Sequence, residues 1–482
     1  EEKTSSVGTA PSRPNIVILF ADDLGYGDLG SYGHPYNSTP NLDALAREGQ
    51  RWTDFYVAAP VCSPSRGALM TGQLPNRSGL YGRQLPVLHP NDSAGIPERE
   101  LTMAEALKAQ GYRTAIIGKW HLGDAPDTLP TRHGFDYWFG LPYSNDMDWV
   151  GHLTVDELLA LAAQGKNEAV AQEIASRYPK YRDPKIEYWN VPLLRSRRSD
   201  DGYTDELVER PADQHTLTRR YTEEAERFIR EAGDQPFLLY LPYTMPHTAL
   251  FRSKEFVGRS LGGRYGDVIE EIDWSVGEIR RVLEQEGLHE QTLVFFSSDN
   301  GPWLAMQRDA GSAGLLSNGK GTTFEGGLRV PGIFWWPGTV KPSVVHDIGS
   351  TLDVFATALS LAGAPPVAGI DGMDLSATLK KGEPSPRDSI AYYRSGELQA
   401  FRKGLYKIRL VSEGAYGLPP KRTVHETPQL FHLGQDPGEK FDIAAEQPEV
   451  VSDLQAAVAA HQAGMDSREP IFDSRLKRLS AN

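Results

Sequence analysis

The chain has 482 residues, 50 Lys+Arg against 64 Asp+Glu, a net charge of −14, and a single cysteine. At 39% hydrophobic and 24% charged it is globular rather than disordered or fibrous, and its acidic balance argues against a nucleic-acid partner. One thiol excludes internal disulfides, four-cysteine zinc sites and iron–sulfur clusters, and the longest apolar runs are strand-sized, so no membrane span is expected.

Residues 15–20 read as a buried strand, Asn15 followed by Ile16, Val17, Ile18, Leu19 and Phe20. A run this apolar suggests a central parallel strand. Residues 40–48 are expected to be helical. A helix over 102–110 starts on Thr102, with Glu105 three residues on as a capping box, and stops at Gly111; a strand follows at 114–117. A long helix is predicted over 214–230, then a strand over 237–241 ended by Pro242. Val268, Ile272, Val276, Ile279 and Leu283 recur at helical spacing, closed by Gly287. Strands at 292–296 and 333–336 and a helix at 352–361 complete the alternation, which defines a doubly wound α/β class. The run Arg195-Ser-Arg197-Arg198 reads as a solvated loop within an insert between Ser144 and Gln214.

Past a turn-rich stretch at 382–386 the pattern changes. Short strands at 391–394, 398–402, 405–410 and 429–432, then a helix at 449–460, predict a small antiparallel sheet packed by one helix. The expected division is a catalytic domain over 1–385 and a C-terminal subdomain over 386–482.

Two predicted strands end in acids. The first runs into Asp22-Asp23 and the 292–296 strand into Ser297-Ser298-Asp299-Asn300. The carboxyl ends of strands face the ligand crevice of an open α/β sheet. Adjacent carboxylates repel unless a cation or protons neutralise them. Three carboxylates and an amide make an all-oxygen site for Ca²⁺ or Mg²⁺ plausible. Gly25-Tyr-Gly27-Asp-Leu-Gly30 matches a dinucleotide fingerprint only formally: two acids precede it and no helix opens at Gly30. Cys62 enters a helix, and Arg66 one turn on has the geometry to grip an oxyanion. Lys119 and His121 lie just past the 114–117 strand, and His247 just past the 237–241 strand. Lys320 sits in a glycine-flanked loop read as flexible, and Ser144 in another loop. Taken singly, each has an ordinary structural explanation; their coincidence carries the reading.

Cys62-x-Pro64-Ser65-Arg66, extended to Gly72, resembles the signature of the type I sulfatases. The run from Gly111 through Gly118-Lys119-Trp120-His121 to Gly123 resembles the family's second signature. This resemblance implies an alkaline-phosphatase-like, large, mostly parallel mixed sheet flanked by helices. It implies a sulfuric ester hydrolase in which a formylglycine-generating enzyme converts Cys62 to Cα-formylglycine. Asp22, Asp23, Asp299 and Asn300 would hold one divalent cation, calcium or alternatively magnesium, with residue 62 completing the contact. Arg66 would orient the aldehyde hydrate, and Lys119 and Lys320 would clamp the sulfate. His121 and His247 would be the acid–base pair, Asp299 would take or orient the attacking hydroxyl's proton, and Ser144 would support by a hydrogen bond. The expected substrate is a sulfated small molecule or saccharide, such as a galactosamine or galactose 6-sulfate. A phosphate or phosphonate monoester hydrolase, a non-catalytic sulfated-glycan-binding protein and a sulfate transferase are the competing readings. One cysteine, and a first residue other than Met, suggest a processed bacterial chain that is periplasmic or secreted, with a cytoplasmic location as the alternative.

Overall fold

The computed structural model describes residues 13–481. Ten strands form one mixed sheet: β1 (Asn15–Ala21), β2 (Gln50–Tyr56), β3 (Arg113–Ile117), β4 (Tyr137–Gly140), β5 (Leu193–Ser199), β6 (Gly202–Glu209), β7 (Phe237–Pro242), β8 (Thr292–Ser298), β9 (Arg329–Trp335) and β10 (Ser343–Ser350). Their order is β10-β2-β9-β8-β1-β7-β3-β4-β5-β6. The middle five, β8-β1-β7-β3-β4, are parallel. Antiparallel pairs flank them on both sides, so the sheet is mixed, with a parallel centre.

β1 is buried along its whole length because it lies between two parallel neighbours, with Ile16 opposite Leu238 on one side and Leu293 on the other. Its side chains alternate between two cores, as the two-residue period requires. Ile16, Ile18 and Phe20 pack with the helices Cys62–Thr71, Met103–Lys108 and Thr351–Leu361. Val17, Leu19 and Ala21 pack against Pro40–Glu48, Leu217–Arg230 and Gly263–Gln285. The Thr102–Glu105 capping box forms, Thr102 Oγ1 accepting from Glu105 N–H at 3.1 Å and Glu105 Oε2 accepting from Thr102 N–H at 2.8 Å.

The insert holds the helices Val155–Ala163 and Asn167–Arg182 and the β5–β6 hairpin. The basic run is therefore not a loop. It lies on β5, where Arg195 pairs with Glu206 at 3.2 Å and Glu224 at 3.5 Å. Its alternation of charge and hydroxyl fits a hairpin with one wet face.

The second sheet is antiparallel: β11 (Ser389–Arg394), β12 (Glu397–Lys403), β13 (Tyr406–Ser412) and β14 (Thr423–His432), in that order. Helix Pro448–Ala463 packs on it through Val451, Leu454 and Val458. A buried charge cluster joins the two sheets. Glu325, just before β9, accepts from Lys407 Nζ of β13 at 3.0 Å and from Tyr392 OH of β11 at 2.6 Å. Arg402 of β12 reaches Asp54 of β2 at 2.6 Å. No helix among the described residues is long and apolar enough to cross a membrane.

Candidate active site

The parallel strands deliver the site from their carboxyl ends. β1 runs into Asp22-Asp23 and β8 into Asp299-Asn300; β3 leads to Lys119 and His121, β4 to Ser144 and β7 to His247. The main chain at 118–121 keeps pairing after β3 ends: the Lys119, Trp120 and His121 N–H groups donate to Pro242, Leu141 and Pro142 carbonyls at 2.8–3.0 Å. Gly118 makes this approach possible. A Cβ there would lie 1.9 Å from the Pro242 carbonyl oxygen, and its φ of 130° suits glycine. Cys62 opens the helix Cys62–Thr71, all ten residues of which are buried. Arg66, four residues on, shares its face.

Three carboxylates and three cations interlock here. Lys119 Nζ donates to Asp22 Oδ2 at 2.5 Å and to Ser144 Oγ at 2.7 Å. Lys320 Nζ donates to Asp23 Oδ2 at 2.8 Å. Arg66 donates from Nε and Nη2 to Asp299 Oδ2 at 3.0 and 2.8 Å, and from Nη1 to the Lys119 carbonyl at 3.1 Å. Its guanidinium thus holds Asp299 and the main chain at Lys119, and lies 3.6 Å from Asp22 Oδ2. Asp299 Oδ1 accepts from Asp23 N–H at 3.1 Å, and Asn300 Nδ2 donates to Asp23 Oδ1 at 2.8 Å. Cys62 Sγ lies 3.5 Å from Asp22 Oδ1. All eleven residues that the sequence nominated are buried together.

The Lys320 loop departs from expectation: it is held, not loose. Lys320 N–H donates to Pro302 at 2.9 Å and Gly321 N–H to Pro60 at 2.8 Å, while Thr323 Oγ1 donates to Gln399 Oε1 of β12 at 3.0 Å. Glycine flanks therefore mark tight packing here rather than mobility: a Cβ on Gly319 would lie 2.2 Å from the Pro302 carbonyl oxygen.

Burial opposes ionisation of Asp22, but Lys119, His247 and Arg66 outweigh it and hold its carboxyl below the usual range. Burial works against the charge on Lys320 as well, and Asp23 more than compensates. Burial, then the Asp299 charge, push the Cys62 thiol up. Burial and Lys119 push His121 well down, so its imidazole is neutral. Its Nε2 meets the Leu88 carbonyl at 2.9 Å, which makes Nε2 the donor and leaves Nδ1, buried and without a partner, as the free lone pair. His247 is the complement. Its Nδ1 faces two acceptors, the Thr248 carbonyl at 2.5 Å and Asn145 Oδ1 at 3.1 Å, which turns Nε2 toward Asp23 at 3.7 Å.

A divalent cation fits these residues. Asp22, Asp23, Cys62 and His247 place ligand atoms within 4.8 Å of one another. Asn300 Oδ1 is buried with no hydrogen-bond partner. An orphaned buried oxygen costs about 1–3 kcal/mol, a cost that coordination removes. The predominance of oxygen donors suits a hard ion.

A cavity of about 450 Å³ opens above Cys62, His121, Ser144, His247 and Lys320. Several of its other walls escaped the sequence reading. Asn145, behind the wall, faces His247 Nδ1 with its Oδ1 at 3.1 Å. Trp303, three residues past Asn300, lies beside both His247 and Lys320, its ring centroid 5.3 Å from the imidazole's and 4.7 Å from Nζ. Tyr416 comes from the loop between β13 and β14 and packs on Trp303 at 5.3 Å. Adjacency to nominated residues was the available signal for Asn145 and Trp303; nothing local marks Tyr416.

A sulfatase family model matches residues 14–364, and a model of the C-terminal region of aryl-sulfatase matches 385–480. The chain belongs to the sulfatase family and is a sulfuric ester hydrolase. Mouse N-acetylgalactosamine-6-sulfatase is 38% identical over 494 residues, spanning 96% of this chain and 88% of the mouse protein. Bovine arylsulfatase A is 39% identical over 469 residues, spanning 93% and 87%. Among solved structures, the PsFucS1 sulfatase from Pseudoalteromonas sp. superposes with a TM-score of 0.79 at 29% identity, covering 95% of this chain and 92% of that one.

Proposed function

We propose that the eleven clustered residues hydrolyse a sulfate monoester through a formylglycine at position 62. The observation carrying this is that Cys62 opens a helix beside Asp22 and the clustered lysines, buried at the floor of the strand-end cavity. The hydrated aldehyde would supply two geminal hydroxyls, one to attack sulfur and one to release the sulfate afterwards. Asp22, Asp23, Asp299 and Asn300 would hold calcium, or magnesium in its place, next to residue 62; the ion would polarise the sulfate and favour ionisation of the attacking hydroxyl.

The chain's own groups do the rest. Asp299, oriented by Arg66, takes the proton of the attacking hydroxyl. Lys119 and Lys320 neutralise sulfate oxygens where negative charge develops, and Ser144 holds Lys119 in place. His247, once protonated, donates from Nε2 to the leaving alcohol. His121 accepts a proton at its free Nδ1 when sulfate departs.

The substrate reading is a sulfated saccharide such as a galactosamine or galactose 6-sulfate, supported by the likeness to N-acetylgalactosamine-6-sulfatase. A second cavity of about 610 Å³ shares Pro86 and Tyr416 with the first, leaving room for further sugar units. A formylglycine-generating enzyme is the maturation partner, and export to the periplasm or medium suits a polysaccharide substrate. The functional division runs at 385/386, with Tyr416 carried to the site by the C-terminal part.

Intact mass tests the nucleophile: conversion of the thiol to the aldehyde removes about 18 Da. Converted protein should cleave aryl sulfate faster than the matched aryl phosphate. Fast turnover by unconverted protein, or a preference for phosphate, would overturn the reading. A panel of sulfated mono- and oligosaccharides tests the substrate class.

A further inference from the structure

Arg177, on the insert helix Asn167–Arg182, lines the same cavity as Cys62 and His247. Its guanidinium carbon sits over the Trp149 ring, 3.3 Å from the centroid, and the indole Nε1 is itself fixed by donating to the Leu153 carbonyl at 3.2 Å. Nε and Nη2 of Arg177 are buried with no hydrogen-bond acceptor. The nearest carboxylate, Glu173 one turn back, stands 3.8 Å away, within reach of charge but not of a hydrogen bond. On the same cavity wall His89 keeps a buried Nδ1 without a partner. Buried donors in proteins are almost always satisfied, and a planar fork of N–H groups matches a carboxylate or sulfate.

We propose that Arg177 is a specificity determinant that binds a second anionic group, a carboxylate or a further sulfate, on the leaving-group side of the substrate. The inference rests on the sulfate-ester reading and deepens it: the preferred substrate carries at least two negative charges, one cleaved and one gripped. Trp149 holds the fork in place, so little side-chain freedom is lost when the anion docks. Burial lowers the pKa of Arg177, and an incoming anion would oppose that shift.

The test compares aryl sulfates bearing a ring carboxylate, a second sulfate, or a neutral carboxamide in the same position. The wild type should favour at least one charged probe over the carboxamide by about tenfold or more in kcat/KM, carried mainly by KM. The probe favoured tells carboxylate from sulfate. Arg177→Gln should reduce that ratio by about tenfold, and Arg177→Lys should restore part of it. A structural role would lower all three probes together and leave the ratio intact. A wild-type ratio near one, or an Arg177→Gln ratio within twofold of wild type, overturns the proposal. Should Arg177→Gln not fold, the wild-type ratio and its decline with added salt decide the matter. Failure of converted wild-type protein to cleave any of the three would instead sink the sulfate-ester reading.

Discussion

Lys320 Nζ lies 2.8 Å from Asp23 Oδ2, so a lysine held in place by the C-terminal sheet neutralises a carboxylate at the end of the central strand. Lys119 and Asp22 repeat the arrangement at 2.5 Å. On the proposed reading, a divalent cation bound here would compete with both lysines for the same oxygens and would free both ammonium groups for the sulfate.

Calcium should therefore stabilise the fold as well as the activity. At a hundred times its dissociation constant a native-state ligand adds about 2.7 kcal/mol, enough to raise Tm by several degrees in a thermal scan. Chelator should reverse the rise, and Asp23→Asn should remove most of it. An unchanged Tm with both calcium and magnesium would count against the metal assignment.

Lys320→Ala should lower kcat on an aryl sulfate by about 10²–10³-fold, the range for losing one preorganised charge donor at a developing oxyanion. Lys320→Arg keeps the charge but not the compact geometry and should recover only part of the rate. Steady-state kinetics on folded variants decides it; losses confined to KM would make Lys320 a ground-state binder instead.

Gln399 touches no reacting group, yet its Oε1 accepts from Thr323 Oγ1 in the Lys320 loop at 3.0 Å. Gln399→Ala should cost about 1 kcal/mol of loop positioning, a fall of about fivefold in kcat with KM little changed. A melting scan separates this from general destabilisation, which would reduce the active fraction and leave the pH–rate profile where it was. Gln399 Nε2 also donates to Glu397 and Glu413 at 2.9 and 3.0 Å, so Gln399→Glu would set three carboxylates together and should not rescue the rate. Thr323→Val, which removes the same hydrogen bond from the loop side, should reproduce the loss.

In the large sheet, the strands legible in the sequence were those buried on both faces. β1, β7 and β8 announce themselves as unbroken apolar runs. β2, Gln50–Tyr56, does not, since Arg51, Thr53 and Asp54 interrupt it. Asp54 is tolerated there because Arg402 and Arg329 reach it from β12 and β9. The β5–β6 hairpin carries charge along its outer face and so reads as loop. In the site, residues at strand ends were found through the strands. Arg177, His89 and Tyr416 arrive from the insert, from a loop and from the second sheet, and only the tertiary packing brings them to the cavity.

The charge cluster between the two sheets should make stability fall in acid. Burial alone would raise the Glu325 pKa, but Lys407, Arg329 and Arg402 outweigh it and hold the carboxyl down at about 2, against 4.5 in the unfolded chain. The folded state therefore keeps Glu325 ionised where the unfolded state takes up a proton. That stabilisation, about 3 kcal/mol, is complete above pH 4.5 and is lost as the pH falls from there toward 2. More than half of it should be gone by pH 3. Glu325→Gln removes the pH dependence at this position and leaves Lys407 and Arg329 short of a partner, at a cost of about 3–5 kcal/mol near neutrality. Urea unfolding at pH 7 and pH 3 should show the wild type's advantage over Glu325→Gln shrinking by about 2 kcal/mol at the lower pH. A gap between the two proteins that stays constant across that window would mean that Glu325 is not the group coupling the two sheets to pH.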